Sequence, residues 1–154
     1  MKILVVDDSK QHCQAGLADL TALGHEVIVL QDYSDVAMVV KQQPFDVALI
    51  DLLMPAEAMT LGTKGLNHLG EAFAVGYPLA VYLATEGIQV AVATDTNHHN
   101  HPASAMMDWL VDKEVNINGH RVCFMRAPMK KIDGTWVKDW PVALGQLIDT
   151  VNKS

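Results

Sequence analysis

Cysteine is almost missing from this sequence: Cys13 and Cys123 are the only two in 154 residues. One falls in an expected helix and the other in an expected strand, so their spacing is not that of a metal motif. They read as reduced, buried thiols of a cytoplasmic protein. Basic runs are also scarce. With a net charge of −7 and Lys130–Lys131 as the only adjacent basic pair, the chain is a poor candidate for binding nucleic acid. No apolar run is long enough to span a bilayer, because the longest, Ala72 to Ala84, is interrupted at Gly76, Tyr77 and Pro78. The opening MKILVVDD lacks the apolar length and the cleavage site of a signal peptide. Missing too are a nucleophile motif, a glycine-rich phosphate loop, an internal repeat and any low-complexity segment.

What is present is an ordinary globular composition, 50% hydrophobic and 19% charged, in a length that suits one domain over residues 1–154. Short apolar β-branched runs alternate with helical periodicity. Ile3 to Val6, Val27 to Leu30, Phe45 to Ile50, Ile88 to Ala93 and Arg121 to Met125 read as strands. Ser9 and Ser34 are placed to cap the first two helices, whose inward stripes are Cys13, Leu17, Leu20, Leu23 and then Val36, Val39, Val40. A third helix is expected from near Leu66 to about Glu86, broken around Gly76–Pro78. A fourth follows Pro102, with Ala105, Met106, Trp109 and Leu110 facing inward. Val115 to Gly119 reads as a short connection, Met129 to Lys138 as an insertion, and a last helix enters through Asp139, Trp140 and Pro141. Strict alternation of this kind implies right-handed βαβ units and a parallel sheet.

Carboxylates punctuate the strand ends. Strand one closes on Asp7 and Asp8, strand three on Asp51. Open α/β sheets place ligands at the carboxyl ends of their strands. If strands one and three are neighbours, three carboxylates share a small crevice. A hard divalent cation such as Mg2+ relieves that crowding.

VVDDS after strand one, ALIDLLMP around strand three and VAVAT closing strand four resemble the receiver domain of response regulators (CheY-like) in two-component signalling. The likeness is strongest through Pro55. It implies a flavodoxin-like doubly wound fold: a five-stranded parallel sheet of order 2-1-3-4-5 in three α/β/α layers. It also implies roles. Asp51 would be the phosphoacceptor; Asp7, Asp8, Asp51 and the backbone carbonyl of Leu53 would hold Mg2+; Thr94 would be the switch hydroxyl. Receivers place a Lys before a Pro at the end of strand five. Here Ala127 precedes Pro128, and Arg126, or else Lys130 or Lys131, is the candidate replacement. Asp95 after the switch Thr is a second departure, since another carboxylate there repels a phosphoryl group.

The expected function is that of a cytoplasmic phosphoacceptor in a phosphorelay. A histidine kinase or phosphotransfer protein would phosphorylate it, and it would signal to a downstream protein by contact, with homodimerisation a further option. Such a domain catalyses at most its own phosphorylation and dephosphorylation. The alternative is a receiver-like interaction module that no longer phosphorylates. His98, His99 and His101 form an odd cluster whose spacing matches no rigid metal template. His12 reads as a helix-surface residue, and Trp109, Trp136 and Trp140 as core or hinge packing.

Overall fold

The computed structural model describes residues 1–56, 68–95, 101, 108–111 and 114–151. The chain opens with β1 (Lys2–Val6), an apolar strand with Ile3 to Val6 fully buried. Ser9 caps α1 (Lys10–Ala22), its hydroxyl accepting from the His12 N–H. Gly24 takes a left-handed φ of 82° to end that helix and lead into β2 (Glu26–Leu30). A 3-10 turn (Tyr33–Asp35), capped by the Asp32 side chain, runs into α2 (Val36–Gln42) ahead of Pro44. After β3 (Val47–Ile50), the two-residue strands β4 (Met54–Pro55) and β5 (Ala72–Phe73) pair antiparallel. Then come α3 (Gly76–Thr85) and β6 (Gln89–Thr94). Two hairpins follow, β7 (Glu114–Ile117) with β8 (His120–Arg126), and β9 (Met129–Ile132) with β10 (Thr135–Lys138). The helix α4 (Trp140–Val151) comes last.

The main sheet runs β2-β1-β3-β6-β8-β7. Its first five strands are mutually parallel, in the expected 2-1-3-4-5 order, and β7 adds an antiparallel edge. Both faces are covered, as parallel sheets require. Along β1, Leu4 and Val6 face one core, with Val36 of α2 and Leu79 and Leu83 of α3. Ile3 and Val5 face the other, with Leu20 of α1 and Trp140, Leu144 and Leu147 of α4. Period-two alternation thus divides one apolar strand between two cores.

Four expectations need correction. The inward face of α1 is His12, Cys13, Ala15, Gly16 and Leu20, whereas Leu17 and Leu23 are exposed. Trp140 packs against Gly16 so closely that a Cβ there would lie 2.8 Å from its ring, and this contact rotates the helix away from the simple apolar stripe. Helix α3 begins only at Gly76, because Ala72 and Phe73 are drawn into the ladder with β4. Glu114 to Ile117 is a strand rather than a connection. The Asn118-Gly119 turn that follows has φ 52° and 84°, the two left-handed residues of a tight hairpin. Trp109 and Trp136 are exposed, and only Trp140 is core. The fourth expected helix lies largely outside the described residues, as do His98 and His99. Both cysteines are buried and outside any disulfide, as expected. No helix among the described residues is long and apolar enough to cross a membrane.

Candidate functional site

Parallel pairing fixes the site. Val6 pairs with Ile50 and Ile50 with Val92, so the carboxyl ends of β1, β3 and β6 lie side by side. Asp7 and Asp51 each extend their strands by one more backbone bond, Asp7 N–H to Leu30 O at 3.1 Å and Asp51 N–H to Val6 O at 2.9 Å. Asp7, Asp8 and Asp51 each offer an oxygen within 4.8 Å of the other two. Asp7 and Asp51 are buried, while Asp8 is exposed at the mouth. Thr94, the last residue of β6, is buried at the same edge, and its carbonyl accepts from the Ala127 N–H at 2.8 Å.

The cation in this cluster is Lys138. Its Nζ lies 2.7 Å from Asp7 Oδ2, 2.8 Å from Asp51 Oδ1 and 3.8 Å from Asp95 Oδ1. The side chain is 1% exposed, a degree of burial an ammonium tolerates only when paired. Arg126, the expected replacement, ends β8 in register with Thr94 and is exposed. Lys130 pairs instead with Asp19 of α1 at 2.6 Å. Lys131 lies 6.0 Å from the centre of the Trp136 ring. The reason for the difference is the β9–β10 hairpin. It leaves the sheet after Pro128 and returns to it, closing where the Asp139 N–H donates to Pro128 O at 2.7 Å. Its last residue is therefore delivered back to the crevice. The signal was in the sequence: Asp133-Gly134, flanked by alternating residues, marks a hairpin, and both turn residues have left-handed φ, 48° and 85°.

Asp95 does not stand as an uncompensated charge. His12 Nε2 lies 3.2 Å from its Oδ2, and this hydrogen bond, with Lys138 nearby, holds the Asp95 carboxyl down at about 2. His12 is buried rather than on the helix surface. Partial desolvation at the mouth and the neighbouring Asp7 raise the Asp8 carboxyl above its ordinary value. Burial pushes Asp51 up to about 6, against the attraction of Lys138. Lys138 itself is raised, since its three carboxylate neighbours outweigh its desolvation.

The donor set fits a hard divalent cation. Three carboxylate oxygens converge, more negative charge than one ammonium offsets, and all are ligands of the oxygen class. Asp51 Oδ1 is buried, with the Lys138 ammonium 2.8 Å away. Leu53, two residues beyond Asp51, is buried between β3 and β4. The preceding carbonyl, that of Leu52, is occupied by the Gly76 N–H at 3.0 Å. His101 is not part of this cluster; its Nε2 lies 3.0 Å from Ala72 O.

No protein-family model matches the sequence, and no curated protein matches it significantly. Solved structures do. The chemotaxis protein CheY4 of Vibrio cholerae superposes with a TM-score of 0.57 at 18% identity, covering 97% of each chain. A response regulator receiver domain protein of Clostridium thermocellum gives 0.54 at 19% identity, over 98% of this chain and 96% of that one. The response regulator TrrA of Thermotoga maritima, solved in complex with Mg2+-BeF, gives 0.54 at 15%, over 95% and 97%. The chain has the receiver-domain fold. The acidic crevice sits at the carboxyl edge of the central strands, and beside the five parallel strands the described residues form the β7 edge, the β4–β5 ladder and the hairpin carrying Lys138.

Proposed function

We propose that the protein is a phosphoacceptor receiver domain that takes a phosphoryl group onto Asp51 from a phosphohistidine of a kinase or phosphotransfer protein. The observation that carries this reading is Lys138, a buried ammonium beside Asp51 in a crevice of three further carboxylates. An Asp51 carboxylate oxygen attacks phosphorus, the P–N bond to the donor imidazole breaks, and the imidazole leaves with the electron pair. Asp7, Asp8, Asp51 and the Leu53 carbonyl are the groups that would hold Mg2+, which supplies neutralisation of the phosphoryl oxygens. Lys138, rather than Arg126, supplies the second positive charge. Phosphorylated Asp51 then attracts the Thr94 hydroxyl, and the face around β6 and β8 repacks. That face meets a downstream protein or a second copy of the chain.

Beryllofluoride mimics the phosphoryl group. Titrated with Mg2+ present, it should change the NMR spectrum around Thr94 and Lys138, and Asp51→Asn should abolish the response. Mg2+ binding without any beryllofluoride response would favour a receiver-like interaction module that no longer phosphorylates.

A further inference from the structure

Lys138 ends a two-stranded hairpin outside the main sheet, so neither neighbouring main-sheet strand fixes its backbone. A long, flexible ammonium side chain on such a hairpin needs another anchor if it is to meet Asp51 reproducibly. His12 of α1 supplies one. The Lys138 N–H donates to His12 Nδ1 at 3.3 Å, and the other ring nitrogen, Nε2, lies 3.2 Å from Asp95 Oδ2. Asp95 Oδ1 in turn lies 3.8 Å from Lys138 Nζ. These contacts close a ring that holds Lys138 at both its backbone and its tip. The His12 carbonyl also accepts from Trp140 Nε1 at 2.9 Å, fixing the chain just past the hairpin to the same turn of α1. Because Nδ1 accepts, the proton of the neutral ring is on Nε2 and is donated to Asp95.

We infer that His12 is a positioning residue: it sets the place of Lys138 in the phosphoryl site and holds the Asp95 carboxylate by its Oδ2. The geometry of the clasp stands on its own, while its use in phosphoryl binding rests on the function proposed above. One side chain thereby compensates both departures from the receiver pattern. It holds a cation arriving from an unusual direction, and it engages a carboxylate that would otherwise repel the phosphoryl group.

Nitrogen-15 NMR of the full chain tests this. The His12 ring should show the Nε2–H form. The Lys138 ammonium, assigned by its loss in Lys138→Met, should be observable through slow proton exchange. His12→Phe, which keeps a ring and removes both bonds, should speed that exchange and weaken beryllofluoride binding about tenfold, the loss of one or two ordinary hydrogen bonds, with Mg2+ affinity retained. Asp95→Ala, at a half-exposed position, should speed the exchange without threatening the fold. A proton on Nδ1 in the wild type, or unchanged Lys138 exchange in both variants, would overturn the inference. Should the clasp signals appear while wild-type protein ignores beryllofluoride, the positioning role stands and the phosphoryl assignment fails.

Discussion

Lys138 is the residue on which the crevice balances. With its ammonium absent, Asp7 and Asp51 are left buried with no opposing charge. Removing one partner of a buried ion pair costs about 3 to 5 kcal/mol. Lys138→Met, similar in volume, is therefore expected to lower stability by that amount in metal-free denaturant titrations, and added Mg2+ should recover part of the loss. Asp51 gives a matching pH dependence. Its folded-state carboxyl, raised to about 6 by burial, keeps a proton that the unfolded chain gives up near the ordinary carboxylate value. Metal-free protein should accordingly gain stability as pH falls from about 6 toward 4, on this group's account. Saturating Mg2+ should flatten that window, and thermal melts with EDTA or Mg2+ would reveal either outcome. The acidic residues were legible in the sequence because each directly ends an apolar strand. Lys138 and His12 were not. Their meeting depends on bringing together positions 126 apart in the chain and on a hairpin docking against α1, which no local spacing encodes.

Among the elements, α3 is tied to the site most directly. Its first residue, Gly76, lies against the backbone immediately after β3. A Cβ there would overlap the Asp51 carbonyl oxygen and crowd Leu52 Cα at 2.7 Å. This glycine is needed for close approach and not for an unusual φ. Gly76→Ala should cost about 1 to 3 kcal/mol as an overpacked contact and should shift the Asp51 backbone resonances, whereas Gly145→Ala, with open space around it, should do neither. The strands were readable for a simple reason. Residues buried on both faces leave continuous apolar runs, and β1 and β3 have nothing polar within their last four and their only four positions, respectively. Helix α1 was misread because its buried face includes a histidine and a glycine, chosen by contacts with Trp140 and Asp95 rather than by hydrophobicity. The start of α3 is not legible in the sequence because Ala72 and Phe73 are apolar in either conformation, and only the partner strand β4 decides between them.

At the scale of the molecule, a doubly wound sheet carries an acidic crevice at its carboxyl edge, and the β7 edge, the β4–β5 ladder and the β9–β10 hairpin lie outside its five parallel strands. The hairpin is the one that reaches the chemistry, since it brings the crevice its buried cation. The most direct test is to incubate the full chain with acetyl phosphate and Mg2+, then map the product by mass spectrometry. The account predicts the mass of one phosphoryl group on the peptide containing Asp51, absent with EDTA and absent in Asp51→Asn. An unmodified Asp51 in protein that demonstrably binds Mg2+ would contradict it.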